Sequence, residues 1–318
     1  MMPYFLFIWF ILTSIILSFS TSSFFFLWIC LEINMMSFIP LMYTKSMIST
    51  NSIMMYFLVQ SFASSIFILI ISIQMINPIF CYYFKLFMAL SMMMKLGAAP
   101  FHIWFPQISE GLPYSAFLIL LTLQKMIPLY ILSIFKNQLM IFTIILNSMI
   151  GSLGGFNQFS IRKILAFSSI AHLAWILALQ FSESNFWIIY MLLYSLIIFF
   201  LISTVNLYNI NSLNFNKKIS LDSNILLITI LLTLGGMPPT LGFIMKWMSL
   251  SIIASIMPII TFPLIMSSLL NLFFYLRLIY APMLKYLNFY KWEKNFLTKM
   301  MAIISPQIGM IFLVVSLV

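Results

Sequence analysis

Charge is what this sequence has least of: Asp, Glu, Lys and Arg make up 6% of its 318 residues, and only 5 of them are acidic. A water-facing surface carries roughly 25–35% charged residues, so a soluble globular chain is excluded. Cysteine is almost as scarce. Cys30 and Cys81 lie in apolar runs without a CxxC partner, which leaves no disulfide framework and no thiolate metal site, and they read as packing residues. The 9 glycines form neither GxGxxG nor a P-loop. No paired-histidine haem arrangement appears either, so no nucleotide, metal or redox centre is expected in this chain. No polar stretch is long enough for a separate globular domain, which predicts one membrane domain over 1–318. The ten-residue alternation of an outer-membrane barrel is missing. No Arg-rich amphipathic lead precedes MMPYFLFIWF, so no cleavable presequence is expected, and the chain is expected to be made where it is inserted.

What is present is apolar length. Hydrophobic residues are 64% of the chain and the mean hydropathy is +1.14, the composition of a polytopic protein surrounded by lipid. A hydrocarbon core of about 30 Å takes roughly 20 apolar residues per helical crossing, and a helix satisfies its own backbone there. Cutting at polar and turn-forming clusters predicts an all-α protein of about eleven spans, near 4–20, 23–43, 54–75, 79–104, 113–135, 138–158, 163–181, 186–208, 223–255, 259–281 and 298–318. The net charge of +10 is spread thinly over short loops, so it reads as topology, not as a nucleic-acid groove. An odd span count puts the termini on opposite sides. The N-terminal side then holds Lys45, Arg162, Lys163, Lys217, Lys218, Arg277, Lys285, Lys291, Lys294 and Lys299, against Lys136 and a snorkelling Lys85 on the other. That bias places the N-terminus on the synthesis side. Tyr and Trp near span ends, such as Trp187 and Trp292, suit an interfacial belt.

Three basic residues remain inside the apolar runs: Lys95, Lys125 and Lys246. Lys125 sits mid-span, and Glu32 is just as central within SFFFLWICLEINMMSFIPLMY. An ionised group at that depth costs about 2.5–3.5 kcal/mol on insertion scales, so packing alone is a poor reason to keep it. A Glu32–lysine pair could simply clip two helices together. Three lysines against one glutamate still leave two cations unpaired, and a low-dielectric interior favours the neutral amine. At least one lysine is therefore poised to bind and release protons.

Two spans are interrupted beside these lysines, at Gly97-Ala98-Ala99-Pro100 and at Gly235-Gly236-Met237-Pro238-Pro239, both containing G-x-x-P. Breaks of this kind free backbone groups that only protein or a water-filled cavity can satisfy. Paired broken helices point to an antiporter-like inverted repeat, here 1–135 and 138–283, with 298–318 as an extra C-terminal helix. Pro128 removes its own N–H and either leaves the Gln124 carbonyl free for water or for a lysine or is only a harmless kink. His102, after the first break, and His172, in SSIAHLAW, either relay protons or bond only backbone.

At LEIN, MMMKLGAAPFHIWFP, LQKMIPLY, SSIAHLAW, GGMPPTLGFIMKW and LLNLFFYLRLIY the sequence resembles the NADH-ubiquinone oxidoreductase chain 2 family, the mitochondrially encoded antiporter-like subunits of respiratory complex I. The resemblance implies a proton-translocating core subunit of the membrane arm, multi-pass in the mitochondrial inner membrane with its N-terminus in the matrix. Its partners would be lipid and other membrane-arm subunits, including neighbouring antiporter-like ones. NAD, FMN, iron-sulfur clusters and ubiquinone would be bound elsewhere in that complex. By the same resemblance, Glu32 would pair with and tune Lys95 on the first broken helix, Lys125 would be the central connecting lysine, and Lys246 the proton-handling lysine of the second broken helix. A free-standing sodium/proton antiporter of the same fold, or a non-pumping scaffold, are the rival readings. Gln107–Leu112, with Glu110, and the loop 209–222 carry no clear family signal.

Overall fold

A computed structural model of the chain describes residues 2–76, 81–208, 221–238 and 240–285. Its elements are α-helices: α1 (Met2–Ser20), α2 (Phe24–Met42), α3 (Met47–Ile76), α4 (Cys81–Leu96), α5 (Trp104–Gly111), α6 (Tyr114–Leu121), α7 (Leu123–Ile134), α8 (Leu139–Phe156), α9 (Ile161–Phe181), α10 (Phe186–Tyr208), α11 (Leu221–Gly235), α12 (Leu241–Ile256) and α13 (Pro258–Lys285). Each of the first ten expected spans falls on one of these helices or on two in succession. The expected span at 298–318 and the loop lysines Lys217 and Lys218 lie outside the described residues. Among the described residues, 7 segments are long and apolar enough to cross a membrane, and α1, α11 and α12 supply shorter apolar helices.

Hydroxyls are tolerated in these spans because they fold back on the helix. Ser14, Ser148 and Ser267 donate to the carbonyls of Ile11 (2.7 Å), Ile145 (2.8 Å) and Leu264 (2.8 Å), so these buried hydroxyls are not left without an acceptor. Helix α9 is the centre of the bundle. It is buried along nearly its whole length, as a helix enclosed by other helices must be, and it packs on α5, α7, α8, α10, α12 and α13. Its tightest neighbour is α8, where a side-chain carbon on Gly151 would lie 2.6 Å from the Ala171 nitrogen. Only a residue without Cβ permits that approach.

The packing order repeats. Pairs α1–α2, α2–α3, α3–α4, α4–α7 and α1–α7 in the N-terminal part correspond in sequence order to α8–α9, α9–α10, α10–α11, α11–α13 and α8–α13. Ion pairs mark the two ends of α9. At one end Lys163 Nζ meets Glu110 Oε1 at 2.9 Å, and Arg162 Nη1 donates to the Glu110 carbonyl at 2.8 Å. At the other, Lys136 Nζ meets Glu183 Oε1 at 3.1 Å. Twenty-one helical residues rise about 30 Å, one hydrocarbon thickness. Each ion pair joins loops that span alternation assigns to the same side.

Two boundaries differ from expectation. The span expected at 79–104 stays helical only to Leu96, and α5 begins separately at Trp104. The span expected at 113–135 breaks at Thr122, not at Pro128, which sits inside α7. Thr122 has φ −115 and ψ −80, and its hydroxyl donates back to the Leu118 carbonyl at 2.8 Å. This local bond competes with the helical ladder.

Candidate functional site: three buried lysines at three helix breaks

The first break follows Lys95. Helix α4 closes with the Ala98 N–H on the Met93 carbonyl (3.0 Å) and the Gly97 N–H on the Met94 carbonyl (3.1 Å), a turn that needs a left-handed residue at its end. Gly97 supplies it at φ +66, and a Cβ there would meet Phe105 Cβ at 3.0 Å. The freed backbone finds side-chain partners: Asn147 Oδ1 accepts from the Ala99 N–H at 2.6 Å, and Gln60 Nε2 donates to the Lys95 carbonyl at 3.1 Å. Lys95 itself is 6% exposed. Glu32, half-buried on α2, acts electrostatically on Lys95 and Tyr56. No ion pair within 4 Å joins it to Lys95 among the described residues.

Lys125 lies three residues past the Thr122 break, 3% exposed, with its Nζ over the Phe105 ring at 5.1 Å. Phe105 thus touches both the Gly97 turn and the second lysine. Beside it, Tyr56 donates to Gln124 Oε1 (3.0 Å), and Gln124 Nε2 donates to Asn34 Oδ1 (2.9 Å). Gln124 thus ties α7 to α3 and to α2, the helix that carries Glu32.

The second G-x-x-P break repeats the first turn. Gly236 is at φ +79, and the Met237 N–H reaches the Leu232 carbonyl at 3.2 Å. Here the lysine returns from beyond the break: Lys246 Nζ donates to the carbonyls of Gly235 (2.9 Å) and Leu234 (3.3 Å). A cation at the carbonyl end of a helix also complements its dipole. A Cβ on Gly236 would stand 3.0 Å from Lys246 Cδ, so a side chain there would press on the lysine in addition to straining the backbone angle.

His172, on α9, is buried, and its Nδ1 bonds the Tyr190 hydroxyl at 2.9 Å; Lys246 and Lys125 both act on it electrostatically. Its Nε2 has no protein partner. His102 is half-exposed beside the first break, with Nδ1 3.2 Å from the Pro100 carbonyl. Among the described residues, no group of three His, Cys, Asp or Glu gathers to hold a metal.

A family model described as NADH:quinone oxidoreductase/Mrp antiporter, transmembrane, matches residues 21–273. The chain belongs to this NADH:quinone oxidoreductase/Mrp antiporter family. Within it, the chain is 39% identical over 290 residues to NADH-ubiquinone oxidoreductase chain 2 of Anopheles gambiae, covering 87% of this chain and 85% of that one. It is 41% identical over 279 residues to chain 2 of Rhipicephalus sanguineus, covering 86% and 87%. Among solved structures of the fold, a chain of respiratory complex I from Thermus thermophilus superposes with TM-score 0.80 at 20% identity, covering 89% of this chain and 71% of that chain. A chain of the Mrp complex from Dietzia sp. superposes with TM-score 0.75 at 16% identity, covering 85% and 58%.

For a member of the NADH:quinone oxidoreductase/Mrp antiporter family, several polar residues that support the lysines were not singled out from sequence. Tyr56 and Gln60 are among them, although Ser49, Ser52, Tyr56, Gln60 and Ser64 recur at helical spacing on the buried face of α3. That polar stripe in an apolar run is the signal that would have found them. Asn147 and Gln180 are legible only from what they touch.

Proposed function

We propose that this chain is a proton-translocating subunit of the membrane arm of respiratory complex I, in the mitochondrial inner membrane with its N-terminus in the matrix. One observation carries the reading: each buried lysine is tied to a helix break. Lys95 ends the helix before Gly97, Lys125 follows Thr122, and Lys246 bonds the carbonyls before Gly236. A break brings backbone groups that have left the regular helical ladder to the lysine, and water gathers on such groups when they line a cavity. Lys95, Lys125 and Lys246 then form a row near the bilayer midplane, with His172 between the last two and His102 toward the surface at the first break. A change in the charge near Glu32 alters the proton affinity of Lys95, and the change passes along the row. The repeated packing order supports an inverted repeat of 1–135 and 138–283. Electron transfer, with NAD, FMN, iron-sulfur clusters and ubiquinone, belongs to other subunits, and the partners of this chain are neighbouring membrane-arm subunits and lipid.

The likeness to an Mrp complex chain favours a second reading, a sodium/proton antiporter that works without a redox arm. Native-gel migration followed by mass spectrometry separates the two. The complex I reading predicts co-migration with a very large NADH-oxidising assembly. Recovery of the chain only apart from NADH-oxidising activity contradicts it.

A further inference from the structure

Two polar cavities open beside the end of α9 that carries Glu183. One, of about 590 Å³, is lined by Lys136, Asn137, Gln138, Ser182 and Glu183. The other, of about 240 Å³, reaches past Tyr130, Ser133 and Ser184 to Gln180. Lys136 and Glu183 line both, and their ion pair at 3.1 Å stands between them. One lining residue of each cavity also has a buried polar atom with no protein partner: Asn137 Nδ2 for the larger, Gln180 Oε1 for the smaller. An amide oxygen left so in protein interior costs about 1–3 kcal/mol, unless water reaches it.

Gln180 is 1% exposed, and its Nε2 donates to the Leu129 carbonyl at 2.9 Å. Leu129 is one helical turn from Lys125 on α7. Between them Pro128 has no N–H, so the Gln124 carbonyl lacks its helical donor. Gln180, which lines the smaller cavity, is thus bonded to the backbone of α7 one turn from Lys125, the lysine in the middle of the proposed row.

We propose that the smaller cavity is an aqueous mouth serving Lys125, floored by Gln180 and latched by the Lys136–Glu183 ion pair. The proposal rests on the proton-translocation reading for its purpose, but its geometry is testable without it. Both members of the latch are partly exposed, 33% and 77% in their side chains, so the pair is weak enough to open. Water on Gln180 then links the surface to the side chain that bonds α7 one turn from Lys125. Gln180 is a positioning residue: it holds water and fixes α7 without itself carrying the proton.

The test is thiol accessibility in the assembled complex in sealed vesicles, using a cationic, membrane-impermeant methanethiosulfonate reagent added from the face that carries Lys136. Gln180→Cys, and the more conservative Ser133→Cys in the same cavity, should label at least tenfold faster than Ala178→Cys, which is fully buried on the same helix. Adding Glu183→Gln should speed labelling of Gln180→Cys severalfold. Equal, slow labelling of all three cysteines overturns the mouth, and an unchanged rate with Glu183→Gln overturns the latch. Labelling does not depend on Lys125, so a failed mouth is distinguished from a failed proton row, which Lys125→Ala probes by pumping.

Discussion

Replacing Lys246 by methionine should loosen the end of α11, while the same change at Lys95 should leave the end of α4 closed. Lys246 Nζ is the donor to the carbonyls of Leu234 and Gly235, both beyond the reach of the turn's own amides, which bond Leu232 and Thr233. Loss of a partner for a buried acceptor costs about 1–3 kcal/mol. Methionine also removes a buried cation, and that relief offsets part of the loss. A net local cost of about 2 kcal/mol corresponds to about thirtyfold more frequent opening of the turn. Lys95 offers the control, because its amine makes no hydrogen bond or ion pair to another described residue, while its own helix end is closed by backbone bonds and by Gln60 and Asn147. Hydrogen exchange, read by mass spectrometry on the assembled complex, should show Gly236 and Met237 exchanging about thirtyfold faster in Lys246→Met. Gly97 and Ala98 should change less than threefold in Lys95→Met. Equal changes at both turns, or none at the second, would refute the assignment of Lys246 as the group that caps the broken helix.

Three further outcomes follow from the packing. Asn147→Leu strips the Ala99 N–H of its acceptor and should cost about 1–3 kcal/mol, seen as a lower thermal midpoint of the complex. Gly151→Val places a side chain against the Ala171 backbone and should push α8 from α9 at a cost of about 1–3 kcal/mol or more, reducing assembled complex on native gels. Gly235→Ala, whose nearest neighbours lie 3.7 Å away, should assemble normally. Tyr56→Phe removes one donor from Gln124 for about 0.5–1.5 kcal/mol and should slow pumping with assembly intact; unchanged pumping would separate this polar chain from the lysines.

Much of this arrangement is legible in sequence because lipid makes charge expensive. Lys95, Lys125 and Lys246 stood out as cations in apolar runs, and all three are buried. The two G-x-x-P breaks stood out as well, since glycine and proline interrupt a helical run visibly, and both close on a left-handed glycine. The third break did not, because Thr122 is an ordinary residue in a span; Pro128, the louder signal, is absorbed within α7. Nor could spacing reveal that Lys246 folds back across its break to the Gly235 carbonyl, which depends on how closely α12 approaches α11 at Gly242. There a Cβ would collide with the Thr233 carbonyl. The Glu32–Lys95 relation was legible as two charges at similar depth, but contact depends on side-chain reach, and no ion pair forms between them among the described residues. Glu110, silent in sequence, proves to anchor Lys163 and Arg162 at one end of α9.

The central claim is that the buried lysines move protons, and Lys125 tests it most directly because its ammonium lies over the Phe105 ring and forms no ion pair within 4 Å among the described residues. The decisive measurement is the ratio of protons translocated to electrons transferred from NADH to quinone in complex I carrying Lys125→Ala, with assembly checked on native gels. The account predicts normal assembly and a lowered ratio, with coupled turnover reduced. A fully assembled complex with an unchanged ratio would contradict it and leave the chain a scaffold.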